Sequence, residues 1–386
     1  MTKRASITNS ILVVILSVLP LVRASIDDSS LTRSTWSWLV IIFGALIIFF
    51  GLNYKRVQQK YVYFFLGSTS LITLSALIGL HRISSVALVY SFLTLLLITA
   101  TISSSAKKQA IYIALTYIAC TSLYAQWGAA QFILQHDLGL IKIGESVLNI
   151  NTSGVASFYI HDQKFIRSYG PFAHANILGG VLAVAILLLT RVTIKTKLFT
   201  YSLFASLYIG LLATFSRTAI LSAILIGIYI ALREKKRIII LSMLILIALF
   251  SPLLVGRSTD SRDVAAHDRL EGLIWAKDMA TPRTLIRGLG LGNYEKALSA
   301  QLESNSIPHF AWDIAPVHSV PIFLVMEFGI FLAAIIFLTI IYFIYKHNAW
   351  ILFTILPALF FDHYFVTQIG ALAWLASCTI ILSRVY

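Results

Sequence analysis

Long apolar blocks, separated by short polar segments, occupy most of the chain. The blocks are about 17–25 residues long, which is the length that an α-helix needs to cross the hydrocarbon core of a membrane. This pattern predicts an all-α polytopic membrane protein, with residues 1–386 forming a single membrane domain. About 12 transmembrane helices are expected, and we place them at 7–22, 36–53, 61–80, 84–102, 109–131, 173–190, 197–215, 217–232, 238–255, 318–343, 349–361 and 364–383.

Two longer segments interrupt the apolar blocks and are predicted to form loops outside the membrane. In the first, 132–172, polar and apolar residues alternate around Ala156–His161, and this period of two is consistent with a short hairpin. The second, 256–317, contains half of the 16 acidic residues of the chain and is therefore expected to be a water-facing subdomain containing short helices.

One of these short helices is predicted near 264–280. Its apolar residues stand beside charged neighbours, as in an amphipathic helix, and Pro282 is expected to end it because proline lacks a backbone donor. The apolar positions are Leu270, Leu273, Ile274 and Ala276.

The composition supports the membrane interpretation. Apolar residues make up 58% of the chain, charged residues only 12%, and the mean hydropathy is +0.85, which excludes an ordinary soluble enzyme and a disordered chain. The net charge of +14 does not indicate nucleic-acid binding, because the basic residues lie in short clusters between apolar blocks. The two cysteines, Cys120 and Cys378, lie inside apolar blocks and suggest neither a disulfide framework nor a metal site.

The distribution of Lys and Arg predicts the orientation in the membrane. If the N-terminus is cytoplasmic, the inner segments carry 16 basic residues and the short outer turns carry only 4. Short cytoplasmic loops are enriched in Lys and Arg, whereas long loops cross the membrane largely regardless of charge. We therefore expect both termini to be cytoplasmic and both long loops to face outward.

Two arginines are candidates for binding an anion. Arg167 lies where the first loop ends, just before a glycine and a proline and the start of an apolar helix whose backbone N–H groups would also attract an anion. A membrane-surface position explains Arg167 equally well. Arg217 lies between two apolar blocks with almost no loop, where a charge is costly unless it faces a cavity or a partner.

The large loop and the helix after it supply two further candidates. Arg269 lies in the predicted amphipathic helix, where Asp268 and Glu271 are also possible partners on a solvent-exposed face. His318 lies at the start of the next span, where the helix dipole favours a neutral imidazole that can accept a proton. The glycine-rich stretch at 288–292 follows a helix rather than a strand, and we expect a compact turn that packs against a helix or the membrane surface.

Several motifs are missing from the sequence. It contains no Asp-x-Asp pair, no His-Glu-x-x-His, no Walker loop and no Gly-x-Ser-x-Gly elbow. An ATP-splitting or metal-dependent nucleotide-sugar reaction is therefore not indicated. A lipid-linked anionic donor that carries its own leaving group needs neither ATP nor a metal ion.

The order of the motifs resembles that of the bacterial O-antigen ligase and O-antigen polymerase superfamily of integral membrane glycosyltransferases. The similar region covers roughly 165–345, and the departures from the family pattern are Ala175 in place of proline and Ser319 in place of asparagine. The matching stretches are Arg-x-x-Gly-x-Phe-x-His-x-Asn-x-Leu-Gly at 167–179, Ser-Arg-x-Ala at 216–219, Arg-x-x-x-x-x-Trp at 269–275, Gly-x-Gly-x-Gly at 288–292, His318 and Glu327-Phe328-Gly329.

The resemblance implies transfer of a glycan from a polyprenyl diphosphate carrier to an acceptor hydroxyl, without metal or other cofactor, on the outer face of the bacterial cytoplasmic membrane. It implies that Arg167, Arg217 and Arg269 bind the diphosphate and that His318 is the catalytic base. His174 and Asn176 are candidates for a supporting role, and the role of Glu327 stays open.

Three questions of function remain open from the sequence. The acceptor is lipid- or protein-linked in a ligase and carrier-linked in a polymerase, and nothing in the sequence separates them. A transporter or flippase of lipid-linked sugars is a further alternative, although basic residues at the outer rim favour chemistry over transport. A purely structural membrane subunit leaves the charged outer loop unexplained.

Overall fold

The structure is a computed structural model, and it describes part of the chain. The described residues are 107–141, 145–152, 154–160, 163–234, 265–290, 292–308, 314–346 and 356–362, with isolated positions between 244 and 255. The predicted spans 7–22, 36–53, 61–80, 84–102 and 364–383, and most of 238–255, lie outside them.

The described residues are mostly helical. The elements in chain order are α1 (Lys107–Leu134), β1 (Ser157–Ile160), β2 (Gln163–Ile166), α2 (Ala175–Arg191), α3 (Lys197–Ala213), α4 (Arg217–Glu234), α5 (Ala265–Met279), α6 (Pro282–Arg287), α7 (Tyr294–Ser304), α8 (Val320–Lys346) and α9 (Leu356–Phe361).

These elements belong to two compact units. The hairpin unit contains the described residues of 111–266 and 350–362, and the glycine unit contains those of 267–349. Helices α1 to α4 and α9 with the two strands belong to the first, and α5 to α8 belong to the second.

Helices α1, α2, α3, α4 and α8 coincide with predicted spans, and α9 covers the end of another. Among the described residues, a single helix stretch, Val320–Thr339 in α8, is long and apolar enough to cross a membrane. Helices α2 and α3 and the Arg217–Ile230 part of α4 are apolar but shorter. The described part fits an all-α protein, and the number of spans stays a prediction.

Helix α2 is the core of the hairpin unit. Every residue from Ala175 to Thr190 is buried, and α2 packs against both α3 and α4. Gly179 allows the close approach, because a Cβ there would come within 3.0 Å of three side chains of the α3–α4 turn and α4. The sequence of α2, apolar on all sides, matches a helix that is surrounded by other elements.

The predicted hairpin is confirmed. Strands β1 and β2 pair antiparallel, with Ser157 opposite Ile166 and Ile160 opposite Gln163. The backbone N–H of Arg167 donates to the carbonyl of Ala156 at 3.1 Å and continues the pairing by one step. The hairpin therefore fixes where Arg167 leaves the loop.

A buried carboxylate attaches the first loop to α1. Glu145 is 3% exposed and accepts hydrogen bonds from the side chains of Trp127 and Gln131 and from the backbone N–H groups of Leu138 and Leu140, at 2.6–2.9 Å. Burial opposes ionisation, but these four donors outweigh it and lower the pKa of Glu145 below its usual value.

Gln131 extends this attachment to the segment that carries Arg167. It is fully buried, and its side-chain oxygen accepts from the backbone N–H groups of Tyr169 and Gly170 at 3.0 and 2.7 Å. Ser168 also donates to the carbonyl of Gly128 on α1 at 2.7 Å. The segment is thus held by buried hydrogen bonds rather than left as a free loop.

We predict that Glu145→Gln removes part of the acid sensitivity of the fold. Because the folded pKa is lowered, the carboxylate stabilises the folded state above its unfolded pKa, and this contribution is lost as the pH falls through the folded pKa. The thermal midpoint of the purified protein in detergent should fall less steeply below about pH 4.5 in the variant. The exposed Glu303→Gln serves as the control, and equal slopes in Glu145→Gln and the parent would contradict the prediction.

Candidate functional site

The segment before α2 forms the sharp re-entry that the sequence predicts. Gly170 has a φ of 58°, and a Cβ there would lie 3.1 Å from the carbonyl oxygen of Tyr124. Helix α2 then begins at Ala175, with His174 as its N-cap. The His174 Nδ1 atom accepts from the backbone N–H of Asn176 at 3.1 Å, so the observed role of His174 is to cap the helix.

Arg167 is buried at the centre of the hairpin unit, with 5% exposure. Its Nε donates to the carbonyl oxygen of Thr214 at 2.7 Å, and its Nη2 donates to the side-chain oxygen of Asn176. The guanidinium therefore joins the start of α2 to the turn between α3 and α4. A positive charge at this depth requires an acidic partner nearby.

That acidic residue is Asp362, which directly follows α9 and is 1% exposed. One carboxylate oxygen accepts from the Asn176 side chain at 3.0 Å and the other from the Thr218 hydroxyl at 2.6 Å. Asn176 thus bridges Arg167 and Asp362. We call these four residues, Arg167, Asn176, Thr218 and Asp362, the buried network.

The sequence reasoning missed Asp362. The available signal was a carboxylate between two predicted spans with almost no loop around it, the same argument that selected Arg217. Thr218, next to Arg217, carries no such signal. Its contact with Asp362, which lies 144 positions later in the chain, becomes visible only in the fold.

Arg217 differs from Arg167 in its environment because it is exposed. It is the first residue of α4, only four positions after α3 ends at Ala213. Phe215 allows this tight turn by adopting a φ of 50°, and its fully buried ring packs 4.2 Å from that of Phe158. A cation at a helix N-terminus opposes the helix dipole, so helix stability does not explain Arg217.

The two arginines are connected to the same turn of the hairpin unit. Arg167 contacts Thr214 in the turn that Arg217 ends, and the buried network joins the first turns of α2 and α4. The Arg167 guanidinium and the first turns of α2 and α4 are joined through the Asp362 carboxylate, and Arg217 is the residue before Thr218 in the first turn of α4.

In the glycine unit, the predicted helix near 264–280 is confirmed as α5. It ends at Met279, and Pro282 occupies the first turn of α6, where Thr281 caps the helix, so proline begins the next helix rather than directly ending α5. The buried residues of α5 are Ala276 and Met279. Its larger apolar residues are exposed, contrary to an amphipathic helix that packs them inward: Leu270, Leu273 and Ile274.

Helix α5, which carries Arg269, approaches the segment that carries His318. Gly272, one turn after Arg269 on the same helix face, lies where a Cβ would be 3.9 Å from the Cα of Val317. Both Arg269 and His318 are half-buried. His318 precedes the first residue of α8 by two positions, and the Ser319 carbonyl accepts the first helical hydrogen bond from Phe323 at 2.8 Å.

The glycine-rich turn packs its backbone against α8, as the sequence predicts. The N–H of Leu289 donates to the carbonyl of Met326 at 2.7 Å, and the N–H of Gly290 donates to the carbonyl of Glu327 at 3.0 Å. A Cβ on Gly288 would overlap the Glu327 carbonyl, and a Cβ on Gly329 would overlap the Ile286 carbonyl. Main chain therefore meets main chain, and no side chain fits between.

Glu327 acquires a clear structural role. Its fully buried carboxylate accepts from the backbone N–H groups of Gly292, Asn293 and Tyr294, the last at 2.8 Å. These groups are at the start of α7, where four N–H groups of any helix lack intrahelical partners. Glu327 is thus the N-terminal cap of α7, supplied by α8.

The predicted site residues are divided between the two units. In the hairpin unit, Arg167 contacts the α3–α4 turn that precedes Arg217, and in the glycine unit, the helix that carries Arg269 approaches Val317, the residue before His318. Convergence of these four site residues on one cavity stays a prediction. Within the described ranges, no three His, Cys, Asp or Glu side chains cluster in a way that would hold a metal ion.

We predict that Gly329→Ala destabilises the protein by more than about 2 kcal/mol, because the new methyl meets backbone and the residue keeps a positive φ. Gly272→Ala is the matched control. It lies in a helix with only an ordinary contact at 3.9 Å and should be neutral or slightly stabilising. Thermal unfolding in detergent measures both, and a Gly329→Ala midpoint equal to that of the parent would contradict the docking.

Comparison with known proteins gives no family for the chain. No protein-family model, no curated protein and no solved structure matches it. The resemblance to the ligase and polymerase superfamily therefore depends on the motifs themselves, and the activity that it implies is a proposal.

Proposed function

We propose that the protein is a membrane glycosyltransferase that moves a glycan from a polyprenyl diphosphate carrier to an acceptor hydroxyl at the outer face of the bacterial cytoplasmic membrane. The observation that carries the proposal is that Arg167 contacts the first turn of α2 and the α3–α4 turn, while Arg217 begins α4 directly after that turn. Two such arginines suit a diphosphate, which carries several negative charges and many acceptor oxygens.

The two arginines would contribute differently. Arg167 is engaged by Thr214 and Asn176, so it supplies charge from a fixed position and orients the turn that ends at Arg217. Arg217 is exposed and can offer its planar fork to two phosphate oxygens. Arg269 is the third candidate for the diphosphate, through its position beside the His318 segment.

His318 is the proposed base. In the proposed step it accepts the proton of the acceptor hydroxyl while that oxygen attacks the anomeric carbon of the donor glycan. The bond from this carbon to the diphosphate oxygen breaks, and its electron pair stays on the diphosphate. The charge that develops there is stabilised by the arginines more strongly in the transition state than in the ground state, and the anomeric configuration inverts.

A matched histidine substitution tests this role. His318→Ala should lower glycan transfer by about 10²–10⁴-fold, the usual contribution of a general base, with protein level and membrane insertion unchanged. His136→Ala, at an exposed position after α1, is the control and should keep its activity. Transfer of lipid-linked glycan by purified protein measures the effect, and full activity in His318→Ala would remove this residue from the mechanism.

A substitution that keeps the charge tests the phosphate contact of Arg217. Arg217→Lys should lower transfer by about 10²-fold or more, because lysine retains the charge but loses the bidentate geometry. Arg283→Lys, which changes an exposed arginine of α6, should be neutral. An Arg217→Lys enzyme as active as the parent would show that a point charge is sufficient there.

Ligase and polymerase use the same donor and differ in the acceptor. Deletion of the gene, followed by gel electrophoresis of the surface glycan, distinguishes the two activities. Loss of all attached polymer indicates ligation to a lipid or protein acceptor, whereas a single unpolymerised repeat indicates polymerisation on a carrier-linked acceptor. A surface glycan that is unchanged by deletion would argue against both.

A further inference from the structure

Helix α8 is continuous in hydropathy but broken in the backbone. Gly329 has φ 77° and ψ 163°, far from helical values, and divides α8 into Val320–Phe328 and Ile330–Lys346. The second segment has 17 residues, which is at the lower limit of the length that crosses a hydrocarbon core. Hydropathy alone does not detect this break, because both segments are apolar.

Side-chain burial changes at the same residue. Before Gly329, Val320, Phe323, Leu324, Met326 and Glu327 are all buried within the glycine unit. After it, Ala333 is buried, but five large apolar side chains are exposed by more than half: Ile330, Phe331, Ile335, Leu338 and Ile341. At 100° per residue these five side chains lie on one helix face about 140° wide, and an apolar face of this size is covered by an apolar solvent rather than by water.

Charged side chains lie beside α8 at this level. Helix α6 lies against Gly329 through the Ile286 carbonyl, and its two arginines, Arg283 and Arg287, are exposed. If the hydrocarbon began at Val320 and Val320–Phe328 ran along the membrane normal, these charges would lie at a level about 13 Å deep, from nine residues at 1.5 Å each. Exposed charges at such a depth are strongly unfavourable.

We infer that the outer boundary of the hydrocarbon crosses α8 at Gly329, so that lipid acyl chains cover Ile330–Tyr345 and the Val320–Phe328 segment stands outside the hydrocarbon with α6 and the glycine-rich turn. The exposed apolar residues Leu285 and Ile286 of α6 then lie at the boundary itself. This inference depends on the proposed membrane location but not on the proposed chemistry.

The boundary specifies where the proposed reaction takes place. His318 lies just before Val320–Phe328, the segment that stands outside the hydrocarbon, and is therefore on the aqueous side of the boundary. The base therefore meets the sugar part of a donor whose isoprenoid chain stays in the membrane. Acceptors that extend into water can reach it without entering the bilayer.

Cysteine labelling tests the boundary without any assay of activity. Cys120 and Cys378 are replaced by serine, and single cysteines are introduced by Ile286→Cys, Leu338→Cys and Ser304→Cys. Ile286 and Leu338 are 58% and 65% exposed, so the described part of the protein leaves both accessible, and Ser304 is an exposed position at the end of α7. Cells with a permeabilised outer layer are treated with a membrane-impermeant maleimide, and labelling in denaturant gives the total thiol.

We expect Ile286→Cys and Ser304→Cys to react at least about tenfold faster than Leu338→Cys, because a thiol among acyl chains neither ionises nor meets the aqueous reagent. Protection of Ile286→Cys while Ser304→Cys reacts would place the boundary above Gly329 and overturn the inference. Rapid labelling of Leu338→Cys would overturn it as well. Arg283→Cys, on the same short helix, replaces Ile286→Cys if that variant does not accumulate, and none of these results bears on His318 or Arg217.

Discussion

Buried carboxylates that complete the first turns of helices organise both units of this protein. A carboxylate removed from water needs donors for its oxygens, and the N-terminal turns of helices have N–H groups and side chains that need acceptors. Asp362 satisfies Asn176 in α2 and Thr218 in α4. Glu327 satisfies the amides at the start of α7. In a chain with so few charges, each of these contacts joins elements that are distant in sequence.

This constraint explains why the two motif arginines of the hairpin unit are not equivalent. Arg167 lies inside the buried network and faces the protein, whereas Arg217 lies at its edge and faces outward. Because Asp362 bonds to Thr218, the residue next to Arg217, the position of Arg217 depends on the buried network. The hydrogen bond from Thr218 to Asp362 thus fixes the first turn of α4, where the exposed Arg217 lies.

In the glycine unit, two elements are joined by direct packing of their backbones. Gly288 and Gly329 remove the side chains that would separate the turn from α8, and the carbonyls of Met326 and Glu327 accept hydrogen bonds from the turn. The break in α8 at Gly329 leaves the Glu327 carboxylate inside the unit and leads the following segment away from it. One glycine therefore separates a part of α8 that packs against protein from a part that exposes apolar side chains.

The sequence by itself determined the helical nature of the described chain, the hairpin near Ala156, the helix near 264–280 and the backbone packing of the glycine-rich turn. It did so because period, length and glycine spacing are local properties. It also selected Arg167, Arg217, Arg269 and His318 as candidates, although their roles stay predictions.

Only the tertiary structure decided which residues satisfy the buried charges. Asp362 joins Asn176 across 186 positions, and Glu327 caps a helix that begins 33 residues earlier, so neither pairing follows from local spacing. The tertiary structure also exposes Leu270, Leu273 and Ile274, which an amphipathic pattern would bury. An apolar pattern indicates that a residue is removed from water. Whether protein or lipid covers that residue depends on packing, which is decided by the whole fold.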